Sequence, residues 1–253
     1  WSSDVCSSDL DPGLSCRMGP ARDRDAVGLG IAVASGGWLM AQSDLKRAVR
    51  RRVAAALVAG RRRLARDLVF IVDPIDGTRA FMSGDMRWAV CIALAQHGRA
   101  VAGIIHLPAM ALTFIAHRGG GAFLNDRPIT VSARAGLAGG LIAGPAGMLR
   151  DLAANGMDFR TEPRIPSLAY RFARVAEGSL DAGMASTNAC DWDIAAADII
   201  LQEAGGGLTD PRGLSPLYNR PTTRHGLLGA APGQLQDEMT AILKRSLDRA
   251  RQS

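Results

Sequence analysis

The chain has 253 residues, of which 47% are apolar and 21% charged, proportions typical of a globular chain with one large domain or two small ones. This length and composition exclude a disordered tail protein and a fibre. No apolar run reaches the roughly 18 residues needed to span a bilayer, so the sequence predicts no membrane segment.

The formal net charge of +6 is concentrated near the N-terminus, because residues 1–69 hold eleven Arg and one Lys against seven Asp. A nucleic-acid-binding arm is one interpretation of this excess. However, the run Arg61-Arg62-Arg63 has no interleaved aromatic residues on which bases could stack. The charge distribution therefore does not favour nucleic acid as a partner.

The cysteines are spread widely along the chain, at Cys6, Cys16, Cys91 and Cys190. None forms a C-x-x-C pair, so they indicate free thiols in a reducing compartment rather than a disulfide framework. Residues 26–41 are apolar, but glycines interrupt them, and Asp23 and Asp25 offset the neighbouring arginines, which argues against a signal peptide. We therefore expect a cytoplasmic protein.

The composition divides the chain into residues 1–67 and residues 68–253. The first glutamate of the chain is Glu162, and arginines interrupt every apolar face that residues 44–66 could form as a helix. Residues 1–67 are thus an atypical Arg-rich region, for which two interpretations remain open. Either the region is partly non-native sequence or disordered, or it is a genuine but divergent N-terminal region.

From residue 68 onward the chain is well patterned, and its periodicity predicts alternating strands and helices. In chain order these are a buried strand Leu68-Val69-Phe70-Ile71-Val72 that ends at Asp73-Pro74, strands over 88–95, 101–107 and 112–116, a hairpin through Asn125-Asp126, a helix marked by Leu168, Phe172 and Val175, a helix over 194–204, and a C-terminal helix marked by Leu235, Met239, Ile242, Leu243 and Leu247. The strands predict an antiparallel meander, and the mixture predicts an α/β or α+β layered fold.

The segment Asp73-Pro74-Ile75-Asp76-Gly77-Thr78 carries two carboxylates directly after a predicted strand. If a helix begins at 77–82, the N–H groups of Gly77 and Thr78 point at an anion, ideally a phosphate. Carboxylate oxygens beside such an anion site are suited to Mg²⁺. The same spacing is also typical of an Asx turn followed by a helix N-cap, so this segment alone leaves both interpretations open.

A second carboxylate segment, Asp191-Trp192-Asp193, precedes a run of three alanines at the start of a predicted helix. Small residues there allow the helix to lie close to another element. We expect Asp191 to be the N-cap of that helix and Asp193 to be available as a third metal ligand. Three carboxylates from two distant segments, together with the phosphate site, indicate metal-assisted phosphoryl hydrolysis.

These two segments resemble the signatures of the inositol monophosphatase family. The first corresponds to residues 73–81, and the second runs from Trp192-Asp193 through Glu203-Ala204-Gly205-Gly206. The segments 103–108 and 119–125 are similar to the same family, so the resemblance covers roughly residues 68–230. It implies a layered α-β-α-β-α sugar-phosphatase fold with mixed sheets, dependence on two or more Mg²⁺ ions, and inhibition by Li⁺.

The resemblance also implies a role for each matching residue. Asp73, Asp76 and Asp193 are implied metal ligands, together with the backbone carbonyl of Ile75. Gly77 and Thr78 are implied to bind the phosphate, with Thr78 and Asp76 as the catalytic pair and a metal-activated water as the nucleophile. The four histidines are interpreted as turn or strand residues: His97, His106, His117 and His225.

The implied substrate is a small phosphate monoester, and several substrate classes remain open. Arg79-Ala80-Phe81, and Ser186 in place of an acidic residue, favour a 3′(2′),5′-bisphosphate nucleotidase over an inositol monophosphatase, with histidinol-phosphate phosphatase as an alternative. The chain lacks the Glu-Glu pair that the family carries before its first signature, so a phosphate-binding pseudoenzyme is a further alternative. A homodimer is left open, and no membrane partner is expected.

Overall fold

The computed structural model describes residues 68–252 of the chain. The predictions made for residues 1–67, namely an Arg-rich region that is non-native, disordered or divergent, lie outside the described residues. Within 68–252, no helix is long and apolar enough to cross a membrane.

The first sheet is an antiparallel meander of six strands in the order β1-β2-β3-β4-β5-β6, as the sequence predicts. Its strands are β1 (Leu68–Asp76), β2 (Ala89–Gln96), β3 (Arg99–Leu107), β4 (Leu112–His117), β5 (Ala122–Leu124) and β6 (Arg127–Pro128). The turn before β6 consists of Asn125 and Asp126, both with positive φ. This conformation is that of a two-residue hairpin whose twist matches the flanking strands.

Strand β1 differs from its prediction in burial and in length. Phe70 is 50% exposed and Val72 38%, because β1 lies at the edge of the described sheet and these alternate side chains face away from the described helices. The strand also continues past Pro74 to Asp76, with an irregularity in its pairing to β2 after Asp73. The prediction of a buried strand ending at Asp73-Pro74 is therefore wrong.

The second sheet has four strands in the order β7-β8-β10-β9. These are β7 (Ile142–Ala143), β8 (Ala182–Ala185), β9 (Gly206–Thr209) and β10 (Leu228–Pro232). Strand β7 is parallel to β8, whereas β10 is antiparallel to both β8 and β9. The sheet is therefore mixed, as the predicted fold class requires.

Within residues 68–252, five α-helices accompany the sheets: α1 (Thr78–Ser83), α2 (Ala146–Ala154), α3 (Leu168–Ala176), α4 (Asp191–Glu203) and α5 (Gln236–Gln252). Helix α4 packs on the first sheet and on α3, α3 also contacts the second sheet, and α5 packs on β9 and β10 with α2 beside it. The described residues thus form four successive layers, β-α-β-α, and the layered α/β fold is confirmed.

A close approach between α4 and the first sheet places the start of α4 near the end of β1. A Cβ atom at Gly103 in β3 would lie 2.7 Å from the carbonyl oxygen of Ala196 and from Cγ2 of Ile199, a distance that van der Waals repulsion forbids. Ala196 lies at this contact, and its neighbours Ala195 and Ala197 are buried as well. The predicted role of small residues in this helix is therefore confirmed.

Candidate metal centre

The first part of the site is the turn that joins β1 to α1. The backbone N–H of Ile75 donates to Oδ1 of Asp73 at 2.8 Å, which is an Asx turn. Gly77 has φ +82°, a left-handed conformation that glycine adopts without strain. A Cβ atom there would also lie 3.2 Å from the backbone nitrogen of Ser167. The turn therefore needs both the short carboxylate and the glycine.

Asp76 is buried and bound by the N-terminus of α3. The hydroxyl of Ser167 donates to its Oδ2 at 2.6 Å, and the N–H groups of Ala169 and Leu168 donate to Oδ2 at 2.8 Å and to Oδ1 at 3.3 Å. Sequence reasoning missed this contact. A serine directly before the predicted helix was the available signal, because serine is a common N-cap.

Asp193 comes from a third element, the first turn of α4. Cys190 is the N-cap of that helix, and Oδ2 of Asp193 accepts its backbone N–H at 2.7 Å. Asp193 thus closes a capping box and offers a carboxylate to the first segment. One carboxylate oxygen from each of Asp73, Asp76 and Asp193 lies within 4.8 Å of the other two. The predicted convergence of these three side chains is observed.

Asp191 is not the N-cap of α4, so that prediction is wrong. It is the first helical residue and is buried. Its Oδ1 accepts a hydrogen bond from Nε2 of His225 at 2.7 Å, and its Oδ2 accepts the backbone N–H of Asn219 at 2.9 Å. Both carboxylate oxygens thus bind residues more than 25 positions away. Cys190 takes the cap position instead: its carbonyl oxygen accepts the N–H of Asp193 at 3.0 Å, and its N–H donates to the Asp193 carboxylate.

The three clustered carboxyl groups repel one another when ionised. Burial, followed by the negative charge of Asp76, raises the pKa of Asp73 to about 8. The same two causes raise the pKa of Asp193 to about 6. Burial raises the pKa of Asp76, although the hydrogen bonds from Ser167 and Ala169 oppose the rise. A cluster of hard oxygen donors that cannot all ionise without added positive charge fits a divalent cation such as Mg²⁺.

Thr78 and Ile75 face each other across the turn. The hydroxyl of Thr78 donates to the carbonyl oxygen of Ile75 at 3.0 Å. This bond leaves the lone pairs of the hydroxyl oxygen available to accept a hydrogen bond, and one lone pair of the carbonyl available for a cation. The N–H groups of the first turn of α1, which begins at Thr78, have no partner inside the helix.

A buried arginine, Arg171, acts on the carboxylate of Asp76 through its charge. Arg171 in α3 donates to the carbonyl oxygens of Met184 at 2.7 Å and Ile165 at 2.8 Å. Its positive charge lowers the pKa of Asp76, while burial lowers its own pKa to about 10. The sequence contained a signal for it, because Arg171 lies on the same helical face as Leu168 and Val175, where an apolar residue is expected.

Comparison with known proteins adds three findings. The sequence profile of the inositol monophosphatase family matches residues 50–248, beginning inside the Arg-rich N-terminal region. An inositol-1-monophosphatase from Mesorhizobium japonicum is 39% identical over 158 residues, or 57% of each chain. A Nus factor SuhB from Pasteurella multocida is 32% identical over 188 residues, or 70% of this chain and 67% of that one.

Solved structures agree with the sequence comparison. The extragenic suppressor protein suhB from Bartonella henselae superimposes with a TM-score of 0.61 and 30% identity, covering 81% of this chain and 88% of that one. An inositol monophosphatase from Anabaena superimposes with a TM-score of 0.62 and 26% identity. The matched region spans just over half the length of the Mesorhizobium protein.

Proposed function

Because the chain belongs to the inositol monophosphatase family, we propose that it is a Mg²⁺-dependent hydrolase of small phosphate monoesters. The observation that carries the proposal is the cluster of Asp73, Asp76 and Asp193, whose oxygens converge to within 4.8 Å. Carboxylates of distant segments that share a buried position without a cation destabilise one another. Their convergence is therefore best explained by a bound cation.

We propose that these three carboxylates and the carbonyl oxygen of Ile75 hold at least two Mg²⁺ ions, and that Li⁺ competes with them. When bound, Mg²⁺ in such a site lowers the pKa of a coordinated water and stabilises negative charge on phosphoryl oxygens. The protein's contribution is to place its oxygens before the ions arrive. The hydrogen bonds from Ser167 and Ala169 to Asp76 support this, since they restrict one carboxylate to a single orientation.

The phosphate of the substrate is proposed to bind at the start of α1. The N–H groups of Gly77 and Thr78 are suited to donate to phosphate oxygens, since helix N-termini carry partial positive charge. The hydroxyl of Thr78, held by its bond to the Ile75 carbonyl, is proposed to accept a hydrogen bond from the attacking water and orient it. Together with Asp76 it forms the proposed catalytic pair. Direct attack by water requires no covalent intermediate.

Two features of the sequence bear on the substrate. Ser186 is exposed and lies seven positions before Asp193, where inositol enzymes tend to carry an acidic residue. Arg79, also exposed beside Thr78, adds positive charge near the proposed phosphate site. Both support a 3′(2′),5′-bisphosphate nucleotidase ahead of an inositol monophosphatase or a histidinol-phosphate phosphatase. The missing Glu-Glu pair keeps a phosphate-binding pseudoenzyme as the alternative.

The proposal is tested by measuring phosphate release from adenosine 3′,5′-bisphosphate, inositol 1-phosphate and histidinol phosphate, with Mg²⁺ or with EDTA. We expect release only with Mg²⁺, and we expect Asp73→Asn to lower kcat by about 10²-fold or more, the scale of losing a positioned catalytic group. Asp126→Asn is the matched control, because Asp126 lies in an exposed turn. Release that persists in EDTA would contradict the metal mechanism. Metal-dependent binding without release would establish the pseudoenzyme.

A further inference from the structure

Arg171 is buried on the side of α3 that binds Asp76. It follows Ser167, the N-cap of α3, by four residues, so the two side chains lie on the same face of the helix. Ser167 donates to the carboxylate of Asp76. The exposed fractions of Asp76, Ser167 and Arg171 are 6%, 0% and 8%. Three polar side chains are thus buried together where the end of β1 meets the start of α3.

The guanidinium of Arg171 has uncharged hydrogen-bond partners. It donates to the backbone carbonyl oxygens of Ile165 and Met184. Its Nε is buried and, among the residues that the structure describes, has no hydrogen-bond partner. None of the ion pairs within residues 68–249 includes it. Because a buried charge without an opposite charge is costly, its compensation must come from a carboxylate that it does not touch.

The charges of Arg171 and Asp76 act on each other without direct contact. Burial, and to a lesser extent the charge of Arg164, lowers the pKa of Arg171, whereas the charge of Asp76 raises it. Burial raises the pKa of Asp76, and the charge of Arg171 is among the causes that oppose this rise. Asp76 in turn acts by its charge on Asp73 and Asp193. The guanidinium is therefore coupled to the carboxylate cluster through Asp76.

We propose that Arg171 is a built-in counter-charge of the metal centre, a positioning residue that keeps the three carboxylates together without Mg²⁺ and limits how tightly Mg²⁺ binds. This assignment rests on the proposed function, because it takes the cation to lie among Asp73, Asp76 and Asp193. The physical reason is that one fixed positive charge stabilises the free cluster and repels a cation that enters it. The bound state gains less from the arginine than the free state does.

The test measures the Kd of Mg²⁺ by calorimetry at pH 8.5, where protons compete least with the cation. The proteins are the full chain, Arg171→Met, Arg171→Lys and Arg174→Met. Methionine has a similar length and helix propensity to arginine but no charge. Arg174 is the matched control, because it lies on the same helix and pairs with Glu162 instead.

We expect Arg171→Met to bind Mg²⁺ about tenfold or more tightly than the full chain, because the repulsion is gone. Arg171→Lys, which keeps the charge, and Arg174→Met should stay within about threefold of the full chain. A residue that only packs would disorganise the cluster when removed and weaken Mg²⁺ binding. Weaker or unchanged binding by Arg171→Met would therefore overturn the proposal.

Two further outcomes are also decisive. If Arg171→Met is unfolded in EDTA, Mg²⁺ should refold it by supplying the missing positive charge, and a variant that stays unfolded in Mg²⁺ would overturn the proposal. A full chain that binds no Mg²⁺ would overturn both this proposal and the proposed function.

Phosphate release by the same proteins separates the two proposals. Tighter Mg²⁺ binding by Arg171→Met, in a protein whose full chain releases no phosphate, would overturn the proposed hydrolysis and support the role of Arg171. Mg²⁺-dependent release by the full chain, together with weaker Mg²⁺ binding by Arg171→Met, would support the proposed function and overturn only the role of Arg171.

Discussion

The substitution Asp73→Asn should stabilise the metal-free protein at neutral pH while removing its response to Mg²⁺. Asn has the shape of Asp and keeps an oxygen that accepts the Ile75 N–H, but it carries no charge to repel Asp76 and Asp193. In the folded chain the pKa of Asp73 is about 8, whereas in the unfolded chain an aspartate has its ordinary pKa of about 3.9. Between these two values the folded state holds a proton that the unfolded state has released.

The sign of the pH dependence follows from that proton. Because the folded state binds more protons between about pH 4 and pH 8, the free energy of unfolding of the metal-free protein falls as the pH rises through this window. Each pKa unit corresponds to about 1.4 kcal/mol. At pH 7, about three units above the unfolded pKa, this effect of Asp73 lowers the free energy of unfolding by at most about 4 kcal/mol. Removal of this cost in the variant should raise Tm by at most roughly 8–16 °C, at about 2–4 °C per kcal/mol for a domain of this size.

The assay is thermal unfolding at pH 5 and pH 7.5, in EDTA and in Mg²⁺, of the unmodified chain, Asp73→Asn and the surface control Asp126→Asn. In EDTA the advantage of Asp73→Asn should be large at pH 7.5 and small at pH 5, because pH 5 lies only about one unit above the pKa of an unfolded aspartate. Mg²⁺ should raise the Tm of the unmodified chain and of the control by binding only the folded state. A variant no more stable than the unmodified chain at pH 7.5 in EDTA, or one equally stabilised by Mg²⁺, would refute the reasoning.

Three further predictions follow from the same structure. Asp193→Asn should abolish Mg²⁺-dependent phosphate release without lowering Tm, because it also removes a charge from the carboxylate cluster, whereas Asp191→Asn should lower Tm by weakening the hydrogen bond to His225, at a cost of about 1–3 kcal/mol. Equal loss of Mg²⁺ affinity in both variants would show that the ligand is misassigned. Adding a family-type segment with its Glu-Glu pair before Leu68 should raise kcat by about 10²-fold, and an unmodified chain that already matches that rate would contradict a defect in residues 1–67. Gly103→Ala should destabilise the fold by about 1–3 kcal/mol through overpacking against α4, measured by denaturant unfolding with Gly147→Ala, which meets open space, as control.

The sequence by itself determined the first sheet, helices α3, α4 and α5, and most of the candidate site, but it predicted neither the four strands of the second sheet nor α2. The predicted elements are those with local signals. These signals are period-two or continuous apolar patterns for strands, glycine and Asn-Asp pairs for turns, and clear apolar faces for helices. The carboxylates Asp73, Asp76 and Asp193 were also identified from local signals, since each lies at the end of a patterned element. Their resemblance to two family signatures then predicted that they meet, and in the structure they do.

The tertiary structure decided which partners these side chains have. Asp191 was predicted as an N-cap from its position alone, but His225 and Asn219 arrive from a distant segment and take both its oxygens. Arg171 was not among the predicted site residues, yet it is buried and its charge lowers the pKa of Asp76. Phe70 was predicted to be buried, but its strand lies at the edge of the described sheet. Local patterns indicate which secondary structure a residue favours and which chemistry its side chain offers. Its burial and its charge partners depend on distant segments that only folding brings together.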